Sequence, residues 1–243
     1  MIIAIANQKG GQGKTTTAQA IATGSTGRTL AVDLDAQGNL TFSMGGNAAD
    51  VGVYDLLTGR KKAAQTIQQT AQGDIIAASS SLALADTFLT GKDRATALKD
   101  AIQPVKGKYD HIIIDCPPAL NILLVNALMA ADMVIIPLTA DIYSLQGLYQ
   151  LKQSIDAAQR VNTGLKIGGV LFVKHSTRTI LARDLTDVIT DKCRELEIPI
   201  YKTTIREGIA IREAQTQRQS IYDYAPRSNP AKDYKQLIKE IGL

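Results

Sequence analysis

The sequence predicts an α/β fold, with a doubly wound and mostly parallel sheet flanked by helices. Short apolar runs alternate with stretches of helical spacing along all 243 residues, and no linker-like segment interrupts them. The first apolar run is followed at once by a glycine-rich turn and then by good helix formers. We therefore expect one domain over residues 1–243, with its ligand at the carboxyl ends of the strands.

The first half of the chain begins with a clear pattern that then weakens. An apolar run predicts a buried parallel strand at 2–6, a helix over 14–23 follows the glycine-rich turn, and a second strand is expected at 29–33. Up to residue 109 the spacing predicts one short strand at 74–78. The helices expected in this part are 53–57, 81–90 and 93–103.

The second half alternates more regularly. The clearest strand of the chain is predicted at 109–115, where apolar residues end in an aspartate. Further strands are expected at 133–137, 168–173 and near 199–202. The helices that separate and follow them are expected over 121–130, 144–160, 179–196 and 230–241.

Composition excludes some classes of protein. Two cysteines, Cys116 and Cys193, provide neither a metal-binding spacing nor a disulfide framework, which favours a reducing cytoplasm. No apolar run approaches the ~20 residues that span a bilayer. The net charge of +4 permits anionic partners but is equally typical of an ordinary surface. The chain opens on a core strand, so no N-terminal helix-turn-helix extension is expected.

The glycine-rich turn has the composition of a phosphate-binding loop. Its glycines allow a tight backbone whose N–H groups point at one phosphate chain, and the following helix contributes its N-terminal partial charge. Lys14 would reach the phosphates as a point charge, and the Thr15 hydroxyl would bind Mg²⁺. Gln8 replaces the glycine that usually begins this pattern. The candidate ligand-binding residues are Gly10, Gly11, Gln12, Gly13, Lys14, Thr15 and Thr16.

Two acidic segments follow predicted strands. Asp115 ends its strand and precedes Cys116 and two prolines, the position of a Walker B aspartate that binds Mg²⁺ through water. Asp33 and Asp35 are one residue apart, so in an extended segment they share a face toward the metal and the attacking water. A simple helix cap at Asp115, and a solvated turn around Asp35, are the alternatives.

The spelling K-G-G-x-G-K-T-T, with the additional lysine Lys9, resembles the deviant Walker A box of the ParA/MinD family of dimeric ATPases. Segments 33–39, 126–138 and 221–228 extend the resemblance over most of the chain. The family implies ATP and Mg²⁺ as cofactors and a P-loop fold. It also implies a homodimer in which Lys9 crosses to the nucleotide of the other subunit. A phosphate contact of Lys9 within its own subunit remains the alternative.

The resemblance also implies roles for individual residues. Asp35 corresponds to the acid that positions the hydrolytic water, with Lys9 and Lys14 stabilising charge, and Asp33 corresponds to the metal-side acid. The late loop at Pro226 and Arg227 corresponds to an adenine contact. A DNA-binding face is expected at Arg178, Arg183, Lys202, Arg206, Arg212 and Arg218. Interspersed acids, Glu207 and Glu213, leave a solvated helix face as its alternative.

Three functional classes share this motif. The first is a ParA-like ATPase, which dimerises on ATP, binds double-stranded DNA nonspecifically on the nucleoid and responds to a ParB-like centromere-binding or adaptor protein. The second, a MinD-like membrane ATPase, needs a basic amphipathic tail, whereas residues 233–243 mix acids with lysines. The third couples ATP to electron transfer or synthesis, and Cys116 is poorly placed for a bridging cluster. We expect the first class, with no membrane partner.

Overall fold

A computed structural model describes residues 1–176 and 179–243. Within them the strands are β1 Ile2–Ile5, β2 Thr29–Asp33, β3 Ile67–Thr70, β4 Gly73–Ile76, β5 His111–Asp115, β6 Met133–Leu138, β7 Lys166–His175 and β8 Ile205–Arg206. The helices of the first half are α1 Lys14–Gly24, α2 Asn39–Met44, α3 Val53–Leu57, α4 Ala63–Thr66, α5 Ala85–Phe88 and α6 Ala97–Lys106, with a 3-10 helix at Ser80–Leu84. Those of the second half are α7 Ile122–Ala130, α8 Ser144–Gln159, α9 Ile180–Glu195, α10 Ile209–Thr216, α11 Ile221–Tyr224 and α12 Asn229–Ile241.

The described strands form one sheet in the order β3-β4-β2-β5-β1-β6-β7-β8. All neighbouring pairs are parallel except β3 and β4, which form an antiparallel edge. The central strand β1 lies between β5 and β6. Its register places Ile5 opposite Asp115, and β2 places Asp33 opposite the same aspartate. The carboxyl ends of three strands thus bring two acids beside the start of the glycine-rich loop.

Both faces of the sheet are covered, which explains why its strands are continuously apolar. Alternate residues of β1 enter different clusters: Ala4 packs with α6, α7 and α8, whereas Ile3 and Ile5 pack with α1 and α12. The four residues of β1 are all buried. Helices on two faces of a largely parallel sheet confirm the predicted fold class.

Several elements differ from the prediction. The short segments α2, α4, β3 and α10 were not predicted, because four to eight polar-rich residues carry too little periodicity. The strand expected near 199–202 is wrong: Ile200 forms only an isolated bridge with Val170, and β8 follows at Ile205–Arg206. The helix expected over 93–103 begins at Ala97 instead.

Candidate nucleotide-binding site

In the loop between β1 and α1, glycines allow backbone conformations that leave the loop's N–H groups accessible to a bound anion. Gly11 and Gly13 have φ angles of +73° and +75°, in the left-handed region that favours glycine. A Cβ atom on Gly13 would also lie 3.3 Å from Cγ2 of Val173, at the end of β7. Gly13 caps the eleven-residue helix α1, so the loop ends at a helix N-terminus, where anions are stabilised.

Lys14 lies across this loop. Its side chain is buried, and its Nζ donates to the carbonyl of Lys9 at 3.3 Å. Burial lowers the pKa of Lys14, while the nearby carboxylates of Asp115 and Asp35 oppose that effect. An ammonium group surrounded by acids at a helix N-terminus is suited to hold a phosphate chain.

Asp115 and Thr15 form the second part of the site. The Thr15 hydroxyl donates to Oδ2 of Asp115 at 2.7 Å, while Oδ1 is buried with no hydrogen-bond partner in the described part of the chain. Burial raises the pKa of Asp115 well above its usual value, and the nearby charge of Asp33 raises it further. An unpartnered buried carboxylate oxygen beside a threonine hydroxyl fits Mg²⁺, which neutralises the acid and keeps several waters.

Asp33 is fully buried, and both of its carboxylate oxygens accept hydrogen bonds from neighbouring backbone amides and a hydroxyl group. Oδ2 accepts from the amide and hydroxyl of Thr41 at 2.8 and 2.7 Å, and Oδ1 accepts from the Asp35 amide at 3.1 Å. Burial raises the pKa of Asp33 to about 6, against the lowering effect of these hydrogen bonds. Asp33 therefore holds the loop that carries Asp35, and its metal-side role stays a prediction.

Asp35 is half-buried and lines the same cleft as Lys14 and Thr15. Its Oδ1 accepts from the amide of Gln37 at 3.0 Å, which closes a small turn. The structure thus brings the candidate water-positioning acid to the phosphate end of the cleft. Its catalytic role stays a prediction.

Lys9 turns away from the phosphate loop to an acid of the β6–α8 connection. Its Nζ lies 2.7 Å from Oδ1 of Asp141, with both side chains about one third exposed, and 5.5 Å from the centre of the Tyr143 ring. Burial alone would raise the pKa of Asp141, but hydrogen bonds from Lys9, Thr139 and Ser144 outweigh it and hold that pKa well below the usual range. In a single chain, Lys9 is thus paired outside its own loop.

Gln12 has a clear structural role. Its side chain is 3% exposed, and Oε1 accepts from the amide and hydroxyl of Thr139 at 2.7 and 2.9 Å. This contact ties the phosphate loop to the segment that carries Asp141. The sequence could not indicate it, because Thr139 lies 127 residues away.

A cleft of about 810 Å³ runs from the phosphate loop to α10. Ile205, Gly208 and Ile211 line its far wall, and Nε2 of Gln215 donates to the Thr16 hydroxyl at 3.2 Å across it. The described lining does not include Pro226 or Arg227, which lie on an exposed turn between α11 and α12. An adenine contact at those two residues stays a prediction, and the described wall beyond the phosphates comes from β8 and α10.

The residues of the predicted DNA-binding face are dispersed. Arg206 lines the cleft and pairs with Asp233 through Nη2 and Nε at 2.6 and 3.0 Å. Arg212, on the same wall, lies 3.8 Å from Glu207 with both side chains exposed, and the Arg218 guanidinium lies 4.4 Å from the centre of the Phe42 ring.

Two more of these basic residues lie away from the cleft. Lys202 lines a separate groove beside α12, and Arg183 lies on α9. Arg178 falls outside the described residues. A DNA-binding face formed by these residues stays a prediction, and of its described members Arg206 and Arg212 line the cleft.

Comparisons with known proteins agree with this geometry. A family model described as an AAA domain matches residues 1–167. The sporulation initiation inhibitor protein Soj of Bacillus subtilis (strain 168) is 40% identical over 252 residues, covering 99% of this chain and 98% of that protein. The chain belongs to the Soj/ParA family of partitioning ATPases. A second member, the chromosome-partitioning ATPase Soj of Treponema pallidum (strain Nichols), is 36% identical and covers 97% of this chain and 94% of its own.

A solved structure adds the ligands of the Soj/ParA-type cleft. Cobyrinic acid a,c-diamide synthase from Mycobacterium smegmatis, with bound ADP and magnesium, has a TM-score of 0.86 and 32% identity, covering 98% of this chain and 92% of that one. The same protein has also been solved with an ATP analogue and magnesium. The arrangement of Lys14, Thr15 and Asp115 in this Soj/ParA family member fits the nucleotide and magnesium that this relative binds. Among the described residues, no helix has the length and apolarity to cross a membrane.

Proposed function

We propose that this ATPase dimerises on ATP, binds double-stranded DNA nonspecifically, and drives partition of a plasmid or chromosome, or positioning of another cargo, through partner-stimulated hydrolysis. The observation that carries the proposal is the position of Lys9. Lys14, Thr15 and Asp115 already supply the cation and metal-side groups of a phosphate site, and Lys9 stands outside it on Asp141. This second lysine, held on Asp141 in the single chain, would exchange that carboxylate for the phosphates of a second copy's nucleotide.

Hydrolysis in this proposal uses residues of the phosphate end of the cleft. Mg²⁺, when bound, neutralises phosphate charge and withdraws electron density from the bond that breaks. Lys14 holds the phosphate chain, and Thr15 and Asp115 hold the metal side. Asp35 orients the attacking water, and Lys9 of the second copy adds positive charge. Slow intrinsic turnover follows if that last group arrives only on dimerisation.

The ATP-bound dimer is proposed to hold DNA through phosphate contacts, which are electrostatic and independent of sequence. Arg212 and Arg218 are the best candidates, because Arg212 is 73% exposed and has only a long ion pair, and Arg218 contacts an aromatic ring. Arg206 is a weaker candidate, since a bidentate pair with Asp233 already engages it. This assignment places the DNA contacts beside the nucleotide cleft.

The partner is proposed to be a ParB-like centromere-binding or adaptor protein, and the location to be the nucleoid in the cytoplasm. Support comes from the family, since the Soj of Treponema pallidum is named a chromosome-partitioning ATPase. The MinD-like alternative needs an apolar helix face free for lipid. In α12, however, Tyr234, Leu237 and Ile238 are buried against the sheet and α1.

The electron-transfer alternative needs accessible cysteines. Cys116 and Cys193 are both buried, and burial raises the pKa of each thiol. The solved relative suggests a synthase as another alternative. The substrate distinguishes the two, because a partitioning ATPase transfers the phosphoryl group of ATP to water in the presence of DNA and needs no second small-molecule substrate.

The decisive experiment measures mass and DNA binding together. With ATP and Mg²⁺, Asp35→Ala is expected to accumulate as a dimer in light scattering and to bind unrelated duplexes equally, with affinity that falls as salt rises. The double variant carrying Lys9→Ala as well is expected to stay monomeric while still binding ATP. Liposome sedimentation is the control for the membrane alternative. A dimer that forms without Lys9, or binding to liposomes but not to DNA, would refute the proposal.

A further inference from the structure

Strand β7 ends in a bulge beside the phosphate loop. Val173 pairs with Ile205 and His175 pairs with Arg206, so Lys174 is the extra residue between two consecutive pairs of the β7–β8 ladder. Its φ angle is +50°, a left-handed conformation that non-glycine residues rarely adopt. Bulges of this kind turn a side chain away from its regular direction and are common next to functional sites.

The Lys174 side chain contacts the phosphate loop at Gly11. Nζ of Lys174 donates to the carbonyl oxygen of Gly11 at 2.9 Å, 163 residues away in the chain. Lys174 also lines the cleft that contains Lys14 and Thr15. The neighbouring Val173 lies directly against Gly13, so the end of β7 supports the loop at two points.

Lys174, like Lys14, donates to a backbone carbonyl rather than to a carboxylate. Lys9, Arg206 and Arg212 each pair with a carboxylate, at Asp141, Asp233 and Glu207 respectively. In the described part of the chain, Lys174 instead has a neutral backbone carbonyl and no carboxylate within ion-pair distance. No acid therefore draws the ammonium away from the loop.

A fixed carbonyl also fixes the next amide. The Gly11–Gln12 peptide is trans, as are all described peptide bonds, so its C=O and its N–H point in opposite directions. With the carbonyl held by Lys174, the Gln12 N–H points from the opposite edge of the peptide group. The Gln12 side chain is anchored separately on Thr139, which leaves its N–H as the group that Lys174 controls.

We propose that Lys174 is a positioning residue for the nucleotide: it holds the Gly11–Gln12 peptide so that the Gln12 N–H faces the bound phosphate. The lysine acts through the loop and does not need to touch the nucleotide. This inference rests on nucleotide binding at the loop, and it adds a group that no sequence motif identifies.

The test compares Lys174→Met, which keeps the length of the side chain but removes the ammonium, with Lys174→Arg. Lys166→Met, at the far exposed end of the same strand, controls for the loss of one positive charge. Lys174→Met is expected to weaken Mg·ADP and a non-hydrolysable Mg·ATP analogue by the same factor, about five- to tenfold. Lys174→Arg should retain most of the affinity, and Lys166→Met all of it. At saturating ATP, kcat should be unchanged while KM rises.

Each other outcome has a definite meaning. Wild-type affinity in Lys174→Met overturns the inference. A loss that is larger for the ATP analogue than for ADP, and that disappears at high salt, overturns it in favour of direct charge attraction. If Lys174→Met lowers the unfolding free energy of the nucleotide-free protein but leaves nucleotide affinity unchanged, Lys174 only stabilises the fold and the inference is overturned. Failure of the wild-type protein to bind nucleotide would instead refute the proposed function itself.

Discussion

A substitution of Thr41 directly tests the charge of the buried Asp33. Its side chain is 1% exposed, and its hydroxyl donates to Oδ2 of Asp33 at 2.7 Å while accepting from the amide of Ala78 at 2.9 Å. Thr41→Val keeps the shape but removes both hydrogen bonds. The backbone amide of Thr41 still donates to Asp33, so the carboxylate loses one of its donors.

The expected loss near neutral pH is about 3 kcal/mol of unfolding free energy. A hydrogen bond to a charged group contributes roughly 1.5–3 kcal/mol, and a buried amide left without an acceptor costs about 1–3 kcal/mol, with partial relaxation reducing the sum. The loss should depend on pH. Asp33 has a folded-state pKa of about 6, raised by burial above the ordinary 3.8.

The direction of that pH dependence follows from the raised pKa. Between the ordinary pKa and about 6, the folded protein binds a proton that the unfolded chain has lost, so the contribution of Asp33 to stability falls as pH rises through this window. Near pH 5 most folded molecules carry a protonated Asp33, so the hydroxyl of Thr41 then faces an uncharged acid. The penalty of Thr41→Val should therefore shrink to about half near pH 5.

Urea unfolding at about pH 5 and about pH 8 measures both values. Thr66→Val is the matched control, because Thr66 is equally buried and its hydroxyl donates only to the carbonyl of Ala63 at 2.9 Å. That variant should lose about 1 kcal/mol at both pH values. The same loss for Thr41→Val at both pH values would refute the assignment of a charged, hydrogen-bonded Asp33.

Three further variants test the nucleotide site. Lys14→Ala should reduce ADP affinity by about two orders of magnitude in calorimetry, and unchanged affinity would contradict the phosphate role of Lys14. Asp115→Asn should stabilise the nucleotide-free protein at neutral pH, because it removes a buried carboxyl group whose pKa is raised. In this variant Mg²⁺ should no longer strengthen ATP binding, and retained Mg²⁺ dependence would place the metal elsewhere. Gly13→Ala should lower the thermal midpoint and also weaken nucleotide binding, because Gly13 has a φ of +75° and a Cβ atom there would lie against Val173. The control is Gly59→Ala, also at positive φ but with open space around it, which should lower the midpoint alone.

The fold and the phosphate loop were predictable because their signals are local. A continuous apolar run identifies a strand buried on both faces, and the spacing of glycines, lysines and threonines in residues 9–16 reports a conformation that only such residues adopt. The carboxylates were predictable for the same reason, since each follows a strand whose carboxyl end lies at the ligand edge.

The parts that sequence could not supply depend on contacts between distant segments. The partner of Gln12 lies in the β6–α8 connection, and that of Gly11 lies at the end of β7. The far wall of the cleft could not be predicted either, because it is formed by the short β8 and α10, which have almost no periodic signal.

The phosphate loop is therefore held in shape by one residue of its motif and by two residues outside it. Lys14 binds the carbonyl of Lys9, Lys174 binds the carbonyl of Gly11, and Thr139 holds the side chain of Gln12. A carbonyl held in this way also fixes the amide of the same peptide before any nucleotide arrives, so less ordering remains to be done on binding. The Thr139 contact has a further effect, because the same segment carries Asp141 and hence the pair that holds Lys9. A shift of the loop on binding nucleotide would then be transmitted through Gln12 to the lysine that we propose reaches the second copy.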